Sequence, residues 1–263
     1  MIDPAVALAL GALVCNGLAD LVYKRAATAG VRPHHLMMVQ SSCYGLLVLA
    51  YAWITGTLVL DRAALIGAVA GVFAFTGFYN FARSLQGGAV TVIAPIFRLS
   101  FTITAVLAIA LLGEAITIAK IAGLAFALVA VWLLLGARAS EVSRTAISRI
   151  SLRRVFIATV TVGIANLLYK VGMRAGATPA GLLVVQACVV ISLSFTFVYL
   201  AEGKLKPLPA TWRFALPSAL LLSAAFVLLV EARLTRANHK RTQTFCPRER
   251  SGIARVPSRG FWN

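Results

Sequence analysis

Gly17–Gln40 reads GLADLVYKRAATAGVRPHHLMMVQ, and 146 positions later Gly163–Gln186 reads GIANLLYKVGMRAGATPAGLLVVQ. The two stretches align without a gap and agree at 11 of 24 positions, among them Gly17/Gly163, Tyr23/Tyr169, Lys24/Lys170, Pro33/Pro179 and Gln40/Gln186. Polar and glycine positions match as well as apolar ones, so hydrophobicity alone does not explain the agreement. The chain repeats itself, and a repeat on this scale constrains the fold before any local feature does. In an apolar chain it points to a transporter built from two related halves.

The 263 residues are 60% hydrophobic and only 13% charged, about half the charged share of a soluble domain. Mean hydropathy is +0.88. Apolar runs of about 20 residues recur, each long enough to cross a bilayer as a helix. They do not alternate as barrel strands do. The composition therefore predicts an all-α polytopic membrane protein. Expected spans start near Pro4, His35, Ala63, Ala89, Ile118, Val155, Ala180 and Phe214, with residues 89–112 read as one continuous span. Gly67-x-x-x-Gly71 in the third predicts close helix packing.

The net charge of +17 invites a nucleic-acid reading. The charges lie almost entirely between apolar runs, however, as the positive-inside rule expects of cytoplasmic loops. Twelve Lys and Arg fall in loops on one side and four on the other before the tail, which favours an outside N-terminus. Four cysteines with no CxxC suggest neither a disulfide framework nor a metal site. No HExxH, GxSxG or phosphate-loop motif is present, so neither an enzyme nor a bound cofactor is expected.

Four segments follow from the repeat: 4–136 as a first five-helix unit, 137–154 as a basic linking loop, 155–235 as a second unit with three helices, and 236–263 as a basic non-helical tail. Five spans per unit is an odd number, so the second unit is expected upside down relative to the first. The first unit shows two spans after its third where the second shows none. The preferred reading of the tail is a truncated or frameshifted end; its rival is a basic segment that binds anionic lipid.

The span ending DLVYKRA, its echo NLLYKVG, and the run GGAVTVIAPIFRLSFTITAVLAIALLGEAITIAKIAGLAFALVAVWLLL together resemble EamA-type transporters of the drug/metabolite transporter superfamily. The resemblance covers roughly residues 5–235. It implies ten transmembrane helices in two five-helix repeats, of which about eight are present here, and both termini in the cytoplasm.

Arg98 is the sharpest candidate for chemistry, because an ionisable residue inside a span must face a cavity or a partner. Pro95, one turn earlier, is expected to kink the helix. A kinked helix with an inward arginine suits a carboxylate or phosphate; the structural alternative pairs Arg98 with Asp20. Asp20 is an acid well inside a span and a candidate for proton coupling, although its repeat mate Asn166 cannot titrate. Gln40, Gln186, Asn16 and Asn80 each need a helix or a substrate as partner. Tyr23, Lys24, Tyr169 and Lys170 are read as interfacial anchors, with tyrosine at the headgroups and lysine snorkelling.

The expected function is secondary transport of a small organic metabolite across the inner membrane by alternating access, with Arg98, Gln40, Gln186 and Asp20 on the path. A non-transporting membrane subunit or an inactive truncated product is the alternative, and a lipid-linked-sugar flippase a third. The expected partners are the substrate, the bilayer and a second copy of the chain; nucleic acid is not among them.

Overall fold

The computed structural model describes residues 4–136, 148–207 and 209–245. Among the described residues nine α-helices follow in order: α1 Pro4–Thr28, α2 Pro33–Ile54, α3 Ile66–Ser84, α4 Val90–Arg98, α5 Ser100–Leu112, α6 Ile118–Gly136, α7 Arg149–Arg174, α8 Pro179–Glu202 and α9 Pro209–Phe245. A short 3-10 turn, Ala63–Leu65, leads into α3. Among the described residues seven spans are long and apolar enough to cross a membrane, with the turn counted into α3, and α4 and α5 counted together. The described apolar stretch of α6, Lys120–Leu133, is shorter. Large apolar side chains such as Leu13, Trp53, Phe126 and Trp132 are exposed on the outside, as lipid-facing surfaces require. This is a multi-pass membrane protein.

Local sequence sets the helix ends. Pro33 and Pro179 open α2 and α8, where a missing N–H costs nothing. Gly113 closes α5 in the left-handed region at φ 61°, which a residue without Cβ adopts freely. Three elements depart from the sequence reading. The expected single span over 89–112 is broken at Leu99 into α4 and α5. Pro95 supplies no N–H to the ladder, and Leu99 N bonds Ile96 O at 3.1 Å, a tighter i−3 bond. The Thr159 hydroxyl of α7 then donates to that same Ile96 carbonyl at 3.1 Å, so the break is stabilised from the other half of the chain. Helix α7 begins at Arg149, inside the segment read as a linking loop. Helix α9 continues to Phe245, so residues 236–245 are helical although their composition carries no apolar stripe; residues 246–263 and 137–147 lie outside the described residues.

The halves interlock. Helix α1 packs along α9, α2 along α8, and α3 along α7. Each of the first three helices thus meets one of the last three, in reverse order. Without a hydrophobic force between helices in lipid, such contacts depend on small residues and polar bonds. Gly67 and Gly71 supply the first: a Cβ at Gly67 would collide with the Leu182 carbonyl, and one at Gly71 would lie 2.9 Å from Val189 Cβ. The expected close approach is therefore made by α3 against α8.

Helices α2 and α8 run antiparallel and are tied at both ends by unlike means. At one end Glu202, closing α8, receives Arg32 at 2.6 Å, His34 at 2.5 Å and His35 at 2.9 Å from the start of α2. At the other end the Thr178 hydroxyl donates to Thr57 O at 3.1 Å, and Gly181 lies against the Val59 carbonyl. The main buried cluster, including Tyr23, Leu36, Phe81, Leu85, Ile93 and Phe97, fills the bundle near the Glu202 end.

Candidate substrate cavity

A cavity of about 440 Å³ lies between the halves, lined from α1, α2, α3, α4, α5, α7, α8 and α9. Its lining repeats with the sequence. Asn16 and Val162, Tyr23 and Tyr169, Met37 and Leu183, Gln40 and Gln186, Ser41 and Ala187, and Tyr44 and Val190 all line it, and each pair is 146 positions apart. One surface is therefore shared by equivalent positions of both copies.

Of the residues singled out by sequence, Arg98, Gln40, Gln186 and Asn16 line this cavity. Asp20 lines a smaller one of about 280 Å³ next to it, with Gly17, Leu21, Val90, Thr91, Ala94 and Pro95. Arg98 Nη2 reaches Asp20 Oδ2 at 2.6 Å and donates to Asn16 O at 3.2 Å, so this ion pair stands between the two spaces. The break at Leu99 places Arg98 at the last residue of α4, where its side chain turns back toward α1. Asn80 does not line either cavity; its amide donates to Thr76 O of its own helix at 2.8 Å.

The four residues read as interfacial anchors take other places. Tyr23 is 3% exposed, and both Tyr23 and Tyr169 line the cavity with hydroxyls buried and unpartnered. The rings sit inside the bundle because α1 and α7 turn those faces toward the other half. Lys24 donates to Leu85 O and Gly88 O, each at 2.9 Å, satisfying carbonyls just past the end of α3. Its repeat mate Lys170 lines the cavity and bonds both carboxylate oxygens of Glu114 at 3.1 Å. Glu114 also receives Lys120 at 3.1 Å and Arg174 at 3.6 Å. Hydrogen bonds from Lys170 and Lys120 hold the Glu114 carboxyl below its ordinary range.

Buried oxygens without a hydrogen-bond partner among the described residues recur at the wall. They are Tyr23 Oη, Gln40 Oε1, Tyr169 Oη and Gln186 Oε1, two tyrosine–glutamine couples related by the repeat. Tyr23 Oη and the Gln40 amide lie near each other without hydrogen-bond geometry. Buried polar atoms normally find a partner; at a cavity wall, water or a ligand supplies it.

Residues 3–136 match the model of the EamA-like transporter family. The chain belongs to the EamA-like transporter family. A search of curated proteins returned no match. Members of the family are membrane transporters, typically without enzymatic activity, and the matched region supplies α1 to α6, hence Arg98, Gln40 and Tyr23 on the cavity wall.

Sequence reasoning missed several lining residues. Tyr44, Asn166 and Arg233 are examples. Arg233 Nη1 contacts Met173 Sδ at 3.3 Å. His34, His35 and Glu202 were not singled out at all; their ligating atoms lie within 4.8 Å of one another, a convergence of two distant segments that spacing does not reveal.

Proposed function

We propose that this EamA-like protein is a secondary transporter that moves a small organic metabolite across the inner membrane by alternating access between two inverted repeats. The observation that carries the reading is the cavity lined by positions 146 apart from both copies. A site at the interface of two related halves can be reached from either side as one half rocks on the other. The reversed pairing of α1 with α9 and α3 with α7, and the antiparallel run of α2 and α8, support an upside-down second half. Arg98, Gln40 and Gln186 are the proposed substrate contacts, and Asp20 the partner that holds Arg98 in place.

Flux of labelled metabolites into proteoliposomes, compared between the wild-type protein and Arg98→Ala, tests this. Wild-type flux above empty vesicles, lost in the variant, is expected. Flux at background in both sinks the transporter reading.

A further inference from the structure

We infer that the cavity takes an organic acid anion that has an aromatic or apolar body and, besides its acid group, a hydrogen-bond donor. This rests on the reading of the cavity as a substrate site and adds the chemistry of what enters it.

Charge comes first. Among the described residues, three cationic side chains line the cavity, Arg98, Lys170 and Arg233, and no Asp or Glu does. Arg98 is paired with Asp20, whereas Lys170 shares the single carboxylate of Glu114 with Lys120 and Arg174. Arg233 is exposed, and its guanidinium contacts only the Met173 sulfur among the described residues. Positive charge therefore remains at the wall for a ligand, most accessibly at Arg233. A carboxylate there makes a charge-assisted bond, while an amine would meet like charge.

Polarity comes second. The four unpartnered oxygens of Tyr23, Gln40, Tyr169 and Gln186 offer two hydroxyls and two amide carbonyls. Glutamine oxygens only accept, so a ligand that satisfies them must donate. Phe78, Phe97, Phe101 and Phe226 add four aromatic rings to the wall, a surface for an apolar or aromatic body.

The test uses the purified full-length protein and its melting temperature in the presence of para-hydroxyphenylacetate, phenylacetate, para-hydroxyphenylacetamide or tyramine. These share one body and differ in charge and in the donor. Saturable stabilisation by para-hydroxyphenylacetate is expected, weaker by about tenfold in affinity for the amide and absent for tyramine. Arg233→Ala should weaken the acid several-fold and Arg233→Lys should restore part of that loss. Tyr169→Phe combined with Gln186→Leu is the sharper variant. Removing polar atoms that have no protein partner should leave the ligand-free melting temperature unchanged or raised, yet remove the preference for para-hydroxyphenylacetate over phenylacetate. A purely structural role would show the reverse.

Equal stabilisation by acid, amide and amine overturns the inference, as does no acid-specific stabilisation at millimolar concentration. Flux is scored separately in proteoliposomes. Acid-specific binding with no flux sinks the transporter reading and leaves this inference standing; flux of amines or neutral compounds alone does the opposite.

Discussion

Arg98 on α4 and Asp20 on α1 meet at 2.6 Å, although 78 residues separate them in the chain. With side-chain exposures of 27% and 11%, the pair is largely shielded. Removing one partner leaves an uncompensated charge, which is far more costly than losing the pair as a whole. Asp20→Ala should therefore destabilise the protein by about 3 kcal/mol. The double change Arg98→Met with Asp20→Leu should cost clearly less. Thermal unfolding in detergent of the two single variants and the double variant measures the difference. A double variant less stable than Asp20→Ala would show that the pair contributes net stability.

Gly17 and Gly163 should respond in opposite ways to one added methyl group. At Gly163 the new carbon would lie 2.7 Å from Ile103 Cγ2 and 3.3 Å from Ser100 O, so Gly163→Ala should cost about 1–3 kcal/mol through overpacking. At Gly17 nothing among the described residues lies within 4 Å, and Gly17→Ala should be neutral or stabilise by up to about 1 kcal/mol through helix propensity. Paired melting curves decide this, and similar losses at both sites would mean that α1 has a packing partner at Gly17.

Glu114 gives a pH dependence. Its folded carboxyl is held below the ordinary value by Lys170 and Lys120. The stability this confers is present above the unfolded glutamate value of about 4.3 and is lost as pH falls through the lowered folded value. The melting temperature should fall on acidification through that range, and the fall should be shallower in Glu114→Gln. Identical pH profiles for the two proteins would remove Glu114 from the account.

The contacts of Glu202 should be unequal. Arg32 is 61% exposed, so Arg32→Ala should change stability by no more than about 1 kcal/mol. Glu202→Ala strips the partner from His35, whose side chain is 6% exposed, and should cost more. Denaturation of both variants ranks them, and an Arg32→Ala loss as large as that of Glu202→Ala would contradict the ranking.

The residues that were legible in sequence are those whose chemistry is anomalous in a membrane. Arg98 and Asp20 stood out because charge inside a span demands a partner, and each is the other's partner. The repeat was legible because it needs only letters. Which way a helix faces was not. Helices such as α1 and α8 are apolar all round, since lipid and neighbouring helix are equally apolar, so no stripe marks the inward side. Tyr23 and Tyr169 were consequently assigned to the headgroups, although both line the cavity. The break at Leu99 was partly legible: Pro95 announces a defect in the ladder, but its position, one turn later, depends on the Thr159 hydroxyl of a helix from the other half.

The two ends of the α2–α8 pair face different aqueous compartments. The Arg32 contact to Glu202 is an exposed ion pair and weakens as ions screen it. The Gly181 contact with Val59 is steric and indifferent to the solution. A change in ionic strength on one face of a vesicle should therefore alter how readily that end parts, while the same change on the other face should not. The molecule carries a built-in polarity of response, which makes its orientation in a membrane measurable from salt dependence alone.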